Sequence, residues 1–412
     1  MKVLAMVLAG GQGSRLSPLT AERSKPAVPF GSRYRIVDFV LSNLVNSEIY
    51  SIYLLIQYKS QSLIEHVDAA WGYANSFTGQ FVTLVPPQMR GGEGWFQGTS
   101  DAVFQNINLI KRHAPDMVAV FGADHIYRMD VRQMIDFHRQ RSAHISVAAI
   151  PVPLSKATSF GVIDTDGDGR IRGFLEKPEH PPSMPSDSSQ SYGSMGNYLF
   201  DTDVLLTALH EAKERGENEF GRHFLLRLIH SHRVSVYNFA DNRIPGIYRY
   251  EEQSYWCDVG DIDPFYAAHH DVMGGESRFN LLNPQWFINS SNYQGPSPRI
   301  LSGDIQDSVI GAGPLDKCAR IHNTILRREV LVEEDVELED CVIMDYTIIR
   351  RGLCLKRVIV DRHNEITSQS RIGFDVVEDS ARYDVSAGGV VVLSALGRHV
   401  GERVLPNIGR LA

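Results

Sequence analysis

The sequence predicts an α/β chain in two parts: a Rossmann-like, mostly parallel sheet, then a C-terminal left-handed parallel β-helix of hexapeptide repeats. Three observations carry this. The first ~270 residues alternate short apolar runs with amphipathic stretches, the pattern of βαβ units. Val330, Val336, Val342, Ile348, Cys354, Val360, Ile366 and Ile372 then recur at a strict spacing of six. Finally, 412 residues exceed one compact core at ~150 residues per domain. The expected units are residues 1–271, a linker 272–300 rich in Gly, Pro, Ser and Asn, and a repeat unit 301–412.

Lys2 to Ala9 is apolar and breaks at Gly10 and Gly11, so it reads as a first strand rather than a signal peptide. Ile36, Val37, Val40, Leu41, Leu44 and Val45 lie at helical spacing. Ser51 to Gln57 is strand-like. Thr99 can cap a helix carrying Val103, Ile107 and Ile110, and Met117 to Phe121 is a buried-type strand. In such sheets ligands bind beyond the carboxyl ends of the strands, so the chemistry is expected in the loops that follow them. From Phe160 the chain reads as two strands joined by a tight turn at Asp166 to Gly169. Asp164, Asp166 and Asp168 superficially match a calcium loop, but its twelfth position is Leu175 instead of Glu. A spacing of six fits neither a helical face nor an alternating strand. It fits a triangular coil whose recurring aliphatics stack inside, with Cys354 acting as a small hydrophobe.

The 41 basic and 49 acidic residues give a net charge of −8 spread along the chain, which argues against a nucleic-acid partner. Cys257, Cys318, Cys341 and Cys354 sit far apart with no CxxC, so neither a disulfide framework nor a zinc module is expected. No apolar stretch approaches the ~18 residues a membrane span needs. A cytoplasmic setting follows.

Gly10-Gly11-Gln12-Gly13-Ser14-Arg15 directly follows the first strand. It lacks the Gly-Lys-Ser/Thr ending of a Walker loop, and Leu16 stands where a dinucleotide fingerprint has its third Gly. The continuation through Arg15, Leu19-Thr20 and Lys25-Pro26 makes the string specific. Glycines let backbone N–H groups approach phosphate oxygens, and two fixed cations can neutralise a polyphosphate leaving group.

This string resembles the signature of sugar-phosphate nucleotidylyltransferases. The resemblance runs through nearly the whole chain and narrows to the bacterial glucose-1-phosphate adenylyltransferase (ADP-glucose pyrophosphorylase) family. It is carried by Phe30-Gly31, Tyr34 to Phe39, Leu41-Ser42-Asn43, Trp95 to Ala102, Asp124-His125-Ile126-Tyr127, Phe160-Gly161-Val162, Glu176-Lys177-Pro178, Ser194-Met195-Gly196 and Tyr255 to Gly260. The family implies that ATP and α-D-glucose 1-phosphate give ADP-glucose and pyrophosphate for glycogen synthesis. It also implies Mg²⁺ on Asp124 and Asp258, a homotetramer, and a phosphorylated-metabolite effector. Arg15, Lys25 and Asp124 would be catalytic, with Arg15 and Lys25 stabilising departing pyrophosphate. Gly10, Gly11, Gly13, Gln57, Gln88 and Gly98 would complete the nucleotide site, with Trp95 arranging its loop. Phe96, Gly161, Glu176, Lys177 and Ser194 would take glucose 1-phosphate, with Tyr198, Glu219 and Phe220 as second-rank contacts. Arg23 and Arg35 would serve the effector.

Several positions depart from the enteric pattern. Gln12 and Gln97 replace arginines, Phe96 a tyrosine, Glu219 and His223 aspartates, and Cys257 and Asp261 stand in YWCDVGD where YWRDVGT is familiar. Glu22 replaces a basic residue and Pro29 a histidine of the regulatory pocket, so a weak response to fructose 1,6-bisphosphate, or a different effector, is expected. The competing readings are a non-catalytic regulatory subunit that binds sugar phosphates and a related transferase using UTP or another nucleotide. A β-helix scaffold is more remote, because it leaves the glycine loop unexplained.

Overall fold

The computed structural model describes residues 1–72, 79–88, 94–313, 319–367 and 371–394. Val3–Ala9 is apolar throughout and lies at the centre of a nine-stranded sheet, parallel to Ser51–Ile56 on one side and Met117–Gly122 on the other. Phe81–Val85 extends this parallel block at its edge. The long strand Gln190–Asp201 then runs antiparallel against Met117–Gly122 and joins the hairpin Gly161–Thr165/Ile171–Glu176. The sheet is therefore mixed, with the parallel block presenting its carboxyl ends, and the loops after them, to one edge. The Asp166 turn is a plain hairpin: the Asp166 carboxylate accepts from Asp168 N at 3.0 Å and Arg170 N at 2.9 Å, which leaves it in use by its own turn.

The helix Ile36–Asn46 begins where Asp38 accepts from Arg35 N at 2.9 Å. The same fully buried carboxylate takes His66 Nε2, Trp71 Nε1 and Ser290 Oγ, so one aspartate pins two helices and the connecting segment. That segment is no free tether, since Trp286 Nε1 donates to Asn43 Oδ1 and Asn289 N to Ser42 Oγ. Thr99 does not cap. The helix Thr99–Gln105 starts at Gly98 with no side-chain cap, and a new helix, Ile107–His113, follows Asn106. The Thr99 hydroxyl instead donates to Glu219 Oε2 and accepts from Phe220 N, both at 3.0 Å. Tertiary partners outbid the local helix end for that oxygen.

The C-terminal unit is a solenoid of parallel ladders. Ile321, Leu338, Leu355 and Ile372 pair in succession, an offset of seventeen. Its corners fall at Asn323, Glu329, Asp335, Asp340, Tyr346, Gly352, Arg357 and His363, all at positive φ, so the sides measure six, six and five residues in turn. A strict six-residue series therefore slips one place per coil. Val342 pairs with Ile359, not Val360. Ile348 and Cys354 leave the interior for this reason and are only half-buried, and the Cys354 thiol faces Glu337. Cys257, Cys341 and Cys354 are unpaired, while Cys318 lies outside the described residues.

The two units pack through charge as well as aliphatics. Arg327 of the solenoid donates to Phe30 O, Gly31 O and Tyr34 O and pairs with Asp345. Beside it His269 sits between Phe30 and Phe265, its Nδ1 on Phe265 O. Burial pushes this imidazole down to about 3. In the unfolded chain the ring takes a proton below about pH 6.5, while in the folded one it stays neutral to about 3. Its contribution is thus fully present above that window and is lost as pH falls through it, by up to about 1.4 kcal/mol per pH unit. Urea midpoints of wild type and His269→Gln followed from neutral pH downward should diverge in slope, with the variant shallower; parallel curves would refute the assignment.

Candidate active site

The glycine loop after the first strand, the ends of neighbouring strands and the hairpin surround one cavity of about 940 Å³. Gly10, Gly11, Gln12, Gly13 and Arg15 line one part of it, with Lys25, Gln57, Phe96, Gln97 and Gly98. Gly161, Glu176, Lys177, Ser194, Tyr198 and Glu219 line another, and Asp124 and Asp258 line it too.

Asp124 follows the strand Met117–Gly122, and Asp258 ends the short strand Trp256–Asp258. That strand runs antiparallel to His125–Tyr127 with Asp258 opposite His125, which brings two carboxylates together from positions far apart in sequence. Lys25, on a turn stiffened by Pro26, places its ammonium between them, 3.0 Å from Asp124 Oδ2 and 2.9 Å from Asp258 Oδ1. The Lys25 side chain is 7% exposed and the Asp124 side chain 41%, so the cation is sunk beneath carboxylates that still face the cavity. Burial alone would raise the Asp124 carboxyl; the charges of His125 and Lys25 outweigh it and hold the group well below the usual carboxylate range. Burial would likewise lower the Lys25 ammonium, and the two carboxylates reverse that and raise it.

Asp124, His125 and Asp258 each offer a ligand atom within 4.8 Å of one another. Two hard oxygen donors already gathered round one positive charge suit a divalent cation. His125 carried no role in the sequence reading. Its adjacency to Asp124 was visible there, but only the two-stranded pairing brings it to Asp258.

Gly13 adopts φ 65°, and a Cβ there would lie 2.8 Å from Lys25 Cβ. Gly13→Ala therefore combines backbone strain with displacement of the lysine, and should lower kcat/KM by about ten- to a hundredfold. Kinetics and thermal melting together check this, and a variant with wild-type kcat/KM would refute it. Gln57 is committed to the loop, since its amide engages both N and O of Phe96. Lys177 holds φ 47° with its N–H on Phe160 O, a left-handed conformation that a non-glycine residue keeps only where its surroundings impose it. Arg222, 4.0 Å from Glu176, and Trp256 also line the cavity. Neither carried a role in the sequence reading, Arg222 because it lies in none of the motifs and Trp256 because its motif drew attention to Asp258 instead.

Other residues fall elsewhere. Gln88 is exposed, does not line the cavity, and turns its amide to Pro86 O at 2.8 Å. Trp95 is 59% exposed, and Phe220 is buried in the core. Arg35 lines a second cavity of about 220 Å³ at the junction of the units, with Arg33, His66, Arg327, Arg328 and Asp345. Arg23 is absent from that lining and pairs with Asp361 of the solenoid at 2.7 Å.

Residues 4–274 match the nucleotidyl transferase family, and residues 297–393 match the GlmU-like C-terminal hexapeptide family. A glucose-1-phosphate adenylyltransferase of Thermodesulfovibrio yellowstonii is 53% identical over 399 residues, covering 97% of each chain. One of Corynebacterium jeikeium is 43% identical, covering 95% of this chain and 97% of its own. One of Anaeromyxobacter is 42% identical, covering 95% and 98%. With two such matches in register with the two units and relatives aligned nearly end to end, the chain belongs to the nucleotidyl transferase family and, within it, to the glucose-1-phosphate adenylyltransferases.

Proposed function

We propose that the protein transfers the adenylyl group of ATP to α-D-glucose 1-phosphate, giving ADP-glucose and pyrophosphate for α-glucan synthesis. The observation that carries the reading is the single cavity joining the glycine loop, Lys25 and the carboxylate pair to the Glu176–Lys177 strand end. Two anionic substrates must meet there, so the residues' task is alignment and charge compensation. Backbone N–H groups of the glycine loop, Arg15 and Lys25 hold the polyphosphate and stabilise pyrophosphate as it departs. Lys177 holds the sugar phosphate and Glu176 accepts bonds from sugar hydroxyls, with Gly161, Phe96 and Ser194 as walls. Asp124 and Asp258 would hold Mg²⁺, which supplies charge compensation at the α-phosphate. Lys25, standing between those carboxylates and lining the same cavity as the glycine loop, would present its ammonium to phosphate oxygens.

Pyrophosphate release with Mg²⁺ and glucose 1-phosphate, compared across ATP, UTP, GTP and dTTP, tests the reading. Release with ATP is expected. Release mainly with UTP would overturn the product, and silence with every nucleotide would overturn the activity.

A phosphorylated effector would occupy the second cavity, read by Arg35 and its cationic neighbours. Exposed Glu22 supports a response to fructose 1,6-bisphosphate that is weak. Large activation by that sugar at modest concentration would refute it. The exposed apolar residues Phe374, Val376 and Val377, at the start of the helix Val376–Ser380, would suit the subunit contacts of a homotetramer, and the unpaired thiols Cys257, Cys341 and Cys354 a cytoplasmic setting.

A further inference from the structure

Asp261 stands immediately before the helix Ile262–His270, where an aspartate ordinarily accepts from a free N–H of the first turn. Its side chain makes no such cap. The carboxylate turns outward instead, and its Oδ2 takes Arg15 Nη1 at 3.1 Å. The pair joins the glycine loop to the turn that follows the Asp258 carboxylate. Gly260 makes room for it: a Cβ there would lie 3.0 Å from Arg15 Nη2 and 3.2 Å from Asp258 Oδ1. The guanidinium therefore lies directly over this turn.

The side chains are 58% and 49% exposed, so the pair contributes little to stability in water. A weak, wet ion pair is poor mortar, but it suits a contact that must open. A carboxylate and a phosphate offer a guanidinium the same kind of acceptor. We propose that Asp261 is a positioning residue that acts through Arg15, as a built-in competitor for the polyphosphate. It holds the guanidinium at the cavity mouth when no phosphate is there, gives it up to the incoming triphosphate, and takes it back as pyrophosphate leaves. Affinity for ATP and for pyrophosphate is accordingly lower than Arg15 alone would produce. This rests on Arg15 being a polyphosphate ligand, as proposed above.

The test titrates Mg²⁺-pyrophosphate calorimetrically into wild type, Asp261→Asn, Arg15→Ala and the double variant, with steady-state kinetics alongside. Asp261→Asn should bind pyrophosphate about two- to fivefold more tightly and lower KM for ATP by a similar factor, with KM for glucose 1-phosphate unmoved. Asp261→Glu should return both toward wild type. The gain should vanish when Arg15 is already alanine. Unchanged or weakened pyrophosphate binding would overturn the proposal, as would a gain that persists without Arg15. A purely structural Asp261 would lower the melting temperature and kcat without tightening pyrophosphate. If Arg15→Ala binds pyrophosphate as wild type does, the polyphosphate role of Arg15 fails and this proposal with it. If pyrophosphate binding responds to Asp261 while no nucleotide supports turnover, the adenylyl-transfer reading fails and this one stands.

Discussion

Asp124→Asn is expected to reduce pyrophosphate release by about 10²- to 10³-fold, the range for removing one preorganised electrostatic group at a reacting centre. The substitution keeps the side chain's shape and removes its charge. Lys25 then faces Asp258 alone, and the pair of carboxylates that could gather a divalent cation becomes a single one. Because the Asp124 side chain is 41% exposed, the fold should tolerate the change, and an unchanged melting temperature separates lost chemistry from lost structure. The loss should fall on kcat more than on KM for ATP, since the glycine loop and Arg15 remain. Activity within threefold of wild type would remove Asp124 from the mechanism. The same variant guards the nucleotide comparison against contaminating activity.

Arg327→Ala should give the largest loss of stability, about 3–5 kcal/mol. Its guanidinium is buried, satisfies three carbonyls of the Phe30–Tyr34 turn, and neutralises an Asp345 that is itself 6% exposed. Truncation deprives that carboxylate of its nearest cation, leaving Arg328 at 3.8 Å and the charge of Arg35, and removes a donor from each of the three carbonyls. Arg327→Lys should recover part of the loss, because one ammonium cannot span both sets of acceptors. Chemical denaturation read by tryptophan fluorescence checks this. A loss under 1 kcal/mol would show that the junction between the units is held by its aliphatics instead.

Much of this protein follows from local sequence pattern. Apolar runs placed Val3–Ala9, Ser51–Ile56 and Met117–Gly122, and the glycines after the first of these marked the phosphate-type loop. The six-residue recurrence identified a coil of parallel strands, because only stacking explains a period that is neither helical nor alternating. Long motifs also drew attention to Asp124, Asp258, Lys25 and Lys177 one by one.

Their arrangement was decided in three dimensions. Nothing local says that His125 pairs opposite Asp258, or that Lys25 lies between two carboxylates 99 and 233 positions away. The five-residue sides are set by the left-handed corners Asp335 and Asp340, then Gly352 and Arg357, and only the hydrogen-bonded register turns Cys354 outward. Thr99, a cap by sequence, serves Glu219 and Phe220 because those partners arrive from a distant segment. Hydrophobic periodicity depends on neighbours a few residues away, so the sequence by itself determined the first strands and the stacked coil, while the helix expected from Thr99 to Ile110 divides at Asn106. Ion pairs and hydrogen bonds depend on atoms within about 3 Å irrespective of chain distance. The site's charges, the junction at Arg327 and the Arg15–Asp261 contact were therefore decided only by the tertiary structure.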